Sequence, residues 1–326
     1  MTLSQNAQNI YGGQAVIEGV MFAGKHVNVT AVRRKNNEII FYEVPRTTKP
    51  WIQKLKKIPL IRGIVGILES SAKGSQHLNF SMETYAEDET AGDKPEDKPQ
   101  DQPAESEKKE KSGWSLTMIV GVAVAGIISF IVGKLAFTVV PAAVTELIFG
   151  HTKLNIVVNN LIEGLIKITF LLFYLYIISL TPLIKRLFQY HGAEHKVISA
   201  YEGGVDLTVS NVQRYTRLHY RCGSSFIVFS VIVGVIIYSL PIFTWDSMWE
   251  RIYLRVLLLP VVLGLSYETL RVTNAVRDIP VLRVLGYPGL WLQKLTTKEP
   301  TDEQVAVSIA SFNRMLEIDQ KMAKSA

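Results

Sequence analysis

The stretch LIEGLIKITFLLFYLYIISLT, Leu161 to Thr181, decides the fold class. At ~1.5 Å per helical residue it is long enough to cross a ~30 Å hydrocarbon core. Three more apolar stretches, at about 115–140, 225–243 and 252–270, meet the same test. The loops set the orientation. The loop after Thr181 carries Lys185, Arg186, Lys196, Arg214, Arg217 and Arg221, and the portion beyond the last stretch carries Arg271, Arg277, Arg283, Lys294 and Lys298. The N-terminal portion is equally rich in cations, from Arg33, Arg34 and Lys35 to Lys54, Lys56, Lys57 and Arg62. Residues 141–160 and 244–251 hold only Lys153 and Arg251. The positive-inside bias therefore predicts both termini and the central loop on the cytoplasmic side, as an even number of spans requires.

The expected architecture is a mainly α membrane bundle with four transmembrane helices over residues 114–271, including a cytoplasmic loop at 182–224. A small N-terminal β-containing cytoplasmic unit is expected over 1–48 and an amphipathic interfacial segment over 49–85. Cytoplasmic or interfacial helices are expected over 272–326. Residues 86–113 are rich in Glu, Asp, Lys, Pro and Gln and cannot bury enough apolar surface to offset ordering, so they read as a disordered charged linker.

Composition agrees. The chain has 326 residues, 48% of them hydrophobic, and a net charge of +6. In such a chain the basic excess points to cytoplasmic loops and anionic lipid headgroups beside the bilayer, with room for a protein partner and no expectation of nucleic acid. The single cysteine, Cys222, excludes an internal disulfide. The polar start from Met1 to Tyr11 lacks a signal peptide's basic-then-apolar run, so the first membrane helix is expected to direct insertion.

Local signals place further elements. Alternation over Val27–Val32, the pair Asn36-Asn37 and the run Ile39–Val44 predict a hairpin. Gly12, Gly13 and Gly19 flank Glu18, which suggests turns or close backbone approach. Thr301 and Gln304 match a capping box, and Val305, Ile309, Phe312 and Leu316 follow at helical spacing.

His191-Gly192-Ala193-Glu194-His195 is the sharpest chemical signal. On a helix, residues four apart share a face, so both imidazoles can hold one metal ion, zinc by preference, with Glu194 beside it as general base. The order His-x-x-Glu-His is the inverzincin pattern. Two completions are open. His219 and Cys222 would close a four-ligand structural site. Glu268, or failing it Glu18, would leave a fourth position for water and a catalytic site. A hydrogen-bonded polar helix end without metal is the third reading. Glu202 stands seven residues past His195, too far along a helix for the same ion. No phosphate-binding loop, dinucleotide fingerprint or internal repeat is present.

Four motifs in order carry a family resemblance: Gly12 to Val20 (GGQAVIEGV), Tyr190 to Lys196 (YHGAEHK), His219 to Gly223 (HYRCG), and Pro288 to Pro300 (PGLWLQKLTTKEP). Together they resemble the YqhQ-type bacterial membrane proteins that carry domain of unknown function 1385. The resemblance implies a bacterial inner-membrane location and a predicted metal-dependent enzyme of unassigned reaction. Three functions follow as expectations: a zinc-dependent hydrolase at the membrane interface, a non-catalytic scaffold or assembly factor with a closed metal or hydrogen-bonded cluster, and a transporter or channel.

Lys134 and Glu163 fall near the outer ends of the first two expected spans, at similar depth, where an ion pair is the natural way to hold both. Removing either charge alone is expected to lower the yield of folded membrane protein more than removing both. A double variant that expresses no better than the single ones removes the pair.

Overall fold

Four antiparallel strands and two helices packed on one of their faces form the core of the protein in this computed structural model. The structure describes residues 11–46, 49–92, 133, 136–137, 140–141, 143–149, 152, 155–240, 242–243 and 248–325. The chain divides into two units, Met1–Glu89 with Leu172–Ala326, and Thr90–Leu171. The first holds the sheet and every candidate site residue.

The sheet is a meander of β1 (Gly12–Val16), β2 (Gly19–Ala23), β3 (Val27–Arg33) and β4 (Ile39–Pro45) in sequence order. The expected hairpin is β3–β4, and its turn uses Asn37 at φ 69°, a conformation asparagine tolerates well. The glycine-rich stretch, read from sequence as turn or close approach, forms a second hairpin. There Val16 pairs with Gly19 across a two-residue turn in which Glu18 takes φ 52°.

Helices cover both faces of the sheet. The helices of the described residues are α1 (Pro50–Leu55), α2 (Ile61–Gly92), α3 (Ile156–Ile178), α4 (Pro182–Glu202), α5 (Val209–Gln213), α6 (Ser225–Tyr238), α7 (Met248–Ala275), a 3₁₀ turn (Leu282–Gly286), α8 (Tyr287–Thr296) and α9 (Asp302–Ser325), and of these α2, α4 and α9 lie on the sheet. On one face Val20, Phe22, Val29 and Ala31 pack against Ala193 and Val197 of α4 and Val305, Phe312 and Met315 of α9, all buried. The Phe312 ring meets Tyr11, Phe22 and Tyr201 edge-on at 5.3, 4.9 and 4.9 Å. Each large apolar side chain sealed in this way contributes about 1.5–3 kcal/mol. The capping box forms as expected, with Thr301 N–H donating to Gln304 Oε1 at 2.9 Å and Gln304 N–H to Thr301 Oγ1 at 3.3 Å.

On the other face, α2 lays Phe80 on Tyr42 in a stack at 4.8 Å and buries His77 against Thr30, Nδ1 to Oγ1 2.6 Å. This helix runs past residue 86, where the charged linker was expected to begin. Arg34 and Lys35 at the β3–β4 turn bind Asp88 and Glu89, which fastens its last turns as far as Gly92.

The described residues contain two helices long and apolar enough to cross a membrane, Val157–Ile178 and Tyr253–Ala275. The expected third span becomes α6, which runs only from Ser225 to Tyr238, about 21 Å at helical rise. The expected first span, with Lys134, lies almost wholly outside the described residues. Glu163 is buried.

Burial lowers the pKa of His77 from 6.5 to about 4. The unfolded chain therefore takes up a proton between those values that the folded chain refuses, so stability falls as pH drops from about 6.5 towards 4. The thermal midpoint should decline over that interval, and His77→Gln should flatten the decline whatever it does at neutral pH. A wild-type slope that persists unchanged in the variant contradicts this origin.

Candidate metal centre

Pro182 opens α4 at its first turn, where a missing N–H costs nothing. From Tyr190 to Ala200 the helix is almost entirely enclosed, polar residues included: Glu194, His195 and Lys196 are all buried. Buried polar groups need partners. Here those partners orient the side chains.

His191 and His195 stand one turn apart with ring centroids 4.5 Å from each other. Nδ1 of His191 lies 2.8 Å from the carbonyl oxygen of Thr296, and Nδ1 of His195 lies 2.6 Å from that of Arg217. A carbonyl can only accept, so each ring donates from Nδ1, and the neutral form of each has its lone pair on Nε2. Thr296 is the last residue of α8, so its carbonyl is one of those a helix end leaves unpaired. Nε2 of His191 lies 3.2 Å from Sγ of Cys222. Ligand atoms of His191, His195 and Cys222 all fall within 4.8 Å of one another, a spacing that one metal ion can bridge.

The loop that brings Cys222 and the Arg217 carbonyl is fastened to α8. Gln293, fully buried, accepts from His219 N–H at 2.8 Å and donates to His219 O at 2.8 Å and Ser225 Oγ at 2.9 Å. Arg217 reaches the carbonyl and hydroxyl of Thr297 at 2.6 and 2.8 Å. The buried Lys196 donates to Gln213 O at 2.9 Å and pairs with Glu299 at 2.8 Å.

Glu194 enters the same cavity, a space of about 320 Å³ also lined by Tyr11, Gly13, Gln14, His219 and Arg221. Burial pushes its pKa up to about 7, against the opposing pull of His191 and of a hydrogen bond from the Gly13 N–H. Gly13 makes this approach possible, since a Cβ there would sit 2.6 Å from Met21 O and 2.9 Å from Glu194 Cγ. Arg221 pairs with Glu202 through its terminal nitrogen, while its Nε is buried without a hydrogen-bond partner.

The structure sorts the sequence candidates. It gathers His191, His195 and Cys222, with Glu194 in the same cavity. His219 stands beside them, 5.6 Å ring to ring from His195, and is turned elsewhere: its Nδ1 accepts from Arg221 N–H at 3.3 Å and its Nε2 lies 3.9 Å from Glu202. Glu202 thus serves His219 and Arg221, the separate role its distance required.

Glu268 does not join the group. Arg62 at the start of α2 grips both of its oxygens, Nε to Oε1 at 2.7 Å, and Leu60 N–H adds a contact at 3.3 Å. Glu18, the substitute carboxylate, is held by Arg186 and by the Tyr190 hydroxyl at 3.3 Å. Sequence reading missed the two carbonyl anchors, which are main-chain atoms without a residue signature. It also missed Arg221 as a cavity group, although it sits in the same HYRCG motif as His219 and Cys222.

Comparison with known proteins gives two matches. A family described as "Protein of unknown function (DUF1385)" matches residues 58–318. The "Uncharacterized protein YqhQ" of Bacillus subtilis (strain 168) is 53% identical over 313 residues, covering 95% of this chain and 93% of that protein. No solved structure matches.

Gly12 has open space where a Cβ would go, whereas its neighbour Gly13 has none. Gly13→Ala is therefore expected to destabilise by about 1–3 kcal/mol through overpacking, and Gly12→Ala to stay within about 0.5 kcal/mol of wild type. Thermal unfolding of the two variants side by side checks this, and equal midpoints contradict the close fit of Glu194 against β1.

Proposed function

We propose that this chain, which belongs to the DUF1385 family, is a multi-pass membrane metalloenzyme. Its reaction is a zinc-dependent hydrolysis at the cytoplasmic membrane interface. One observation carries the reading: two imidazoles locked as Nδ1–H tautomers by main-chain carbonyls, with His191 Nε2 3.2 Å from the Cys222 thiol. Such backing by carbonyls is the usual second layer of a histidine metal site. Two histidines and a thiolate suit zinc and leave its fourth position for water, which favours a catalytic over a closed structural site. The closed alternative needs His219, whose two nitrogens face the Arg221 N–H and Glu202.

When bound, zinc supplies an acidified water and polarises the substrate oxygen. The chain's own residues do the rest. Glu194, held near neutrality by burial, accepts the proton of the attacking water and returns it to the leaving group. Arg221, which lines the cavity, brings positive charge to the side on which negative charge develops. Val157–Ile178 and Tyr253–Ala275 support a membrane location, and the proposal keeps the four-span topology expected from the sequence, with both termini in the cytoplasm. In a bacterial plasma membrane the substrate is then a peptide or lipid-linked molecule reached from the cytosol.

Metal analysis of purified protein tests the ligand set. Wild type, Glu194→Gln and Glu268→Gln should carry ~1 zinc per chain, while His191→Ala and Cys222→Ser should lose it. In the cobalt-substituted protein the visible spectrum should titrate near pH 7 as coordinated water ionises. Zinc retained by Cys222→Ser, or a cobalt spectrum that does not titrate, overturns the open three-ligand site.

A further inference from the structure

Strand β1 separates two cavities. Gly12, Gly13 and Gln14 line the metal cavity and also line a second one of about 580 Å³ on the strand's other side. Around this second cavity stand Arg46, Lys56, Arg62, Lys73 and Arg271. Two carboxylates answer them. Glu69 takes Lys56 and Lys73, and Glu268 takes Arg62 with Arg271 at 3.9 Å. Arg46 donates to the carbonyl of Gly24. Five cations against two anions leave the cleft strongly positive. Asn28 completes its wall, 3% exposed, with an Oδ1 that is buried and unpartnered.

The surroundings of the cleft are apolar and open. Trp51 is 59% exposed and Ile58, Leu60 and Ile61 are exposed beside it, on the α1–α2 segment that supplies Lys56 and Arg62. Arg271 lies near the end of the apolar stretch Tyr253–Ala275, one of the two long enough to span a bilayer. Cations gathered at the end of a spanning helix, next to an exposed aromatic and aliphatic surface, are what a headgroup of an anionic lipid meets at the bilayer boundary. Arginine supplies forked donors for phosphate and lysine a point charge. The Asn28 amide faces the same space and can bond a headgroup hydroxyl.

We propose that this cleft is a binding site for the phosphate headgroup of an anionic membrane phospholipid, one strand's width from the metal centre. The proposal rests on the membrane-spanning reading of α7 and is independent of the bound metal, so it stands or falls separately from the hydrolase. A free phosphate ion or an acidic protein segment offers related charge, but neither accounts for the exposed apolar rim.

Native mass spectrometry of the full-length, detergent-solubilised protein tests it, with phosphatidylglycerol and phosphatidylcholine as the added lipids. Phosphatidylglycerol should bind about tenfold more tightly than phosphatidylcholine. Lys73→Gln should weaken it, and Arg46→Gln with Lys73→Gln should remove about tenfold in affinity. Arg214→Gln, an exposed cation elsewhere, should change nothing. Inorganic phosphate should fail to displace the lipid. Equal affinity for the two lipids, an unaffected Lys73→Gln, or full displacement by phosphate overturns the proposal. Release of the chain from membranes by alkali without detergent overturns the spanning reading and the headgroup site with it, leaving the metal result untouched.

Discussion

A helix that buries an imidazole, a carboxylate and an ammonium and half-buries a second imidazole must find a partner for each of them, because an unmet polar group inside a protein costs about 1–3 kcal/mol. That demand on α4 organises its whole neighbourhood. His195 needs the Arg217 carbonyl, and that requires the 217–224 loop to be pinned; Gln293 and Arg217 do the pinning. His191 needs Thr296, so α8 must end where it does. Lys196 needs Gln213 and Glu299, and Glu194 needs the edge of β1. These partners come from three separate stretches of chain, β1, residues 213–217 and residues 296–299, so the site exists only when the fold is complete.

The sheet and α9 provide the rigid backing. Phe312, edge-on to three rings, and Ser311, donating to the carbonyls of Val20 and Val29 at 2.9 and 3.1 Å, fix α9 to the strands. Against that block α4 has little freedom to turn its histidines away. β1 then serves two spaces at once, offering a glycine N–H to Glu194 on one side and a floor for the basic cleft on the other.

What sequence could reveal followed from local periodicity. The shared face of His191 and His195 and the Thr301–Gln304 capping box are i,i+4 and i,i+3 relations, and the structure contains both. The β3–β4 hairpin was legible from alternation around Asn36-Asn37. The β1–β2 pair was not, since Gly12, Gly13 and Gly19 read equally well as turn signals. The helical extension to Gly92 depends on Arg34 and Lys35, some fifty positions earlier, which no local window sees. Glu268 was chosen for its depth along a span, and depth says nothing about the guanidinium of Arg62 that reaches it from α2. His219 with Cys222 was one of two completions that spacing left open, and only tertiary placement shows that Cys222 comes to the two histidines while His219 turns to Arg221 and Glu202.

The two main-chain carbonyls orient both imidazoles through Nδ1 without any metal. Nitrogen-15 histidine spectroscopy of the metal-free protein measures this directly, and with six histidines in the chain the signals can be assigned one by one. In the neutral form of each ring, His191 and His195 should both carry the proton on Nδ1. A neutral ring with its proton on Nε2, or rapid exchange between tautomers, would contradict the account.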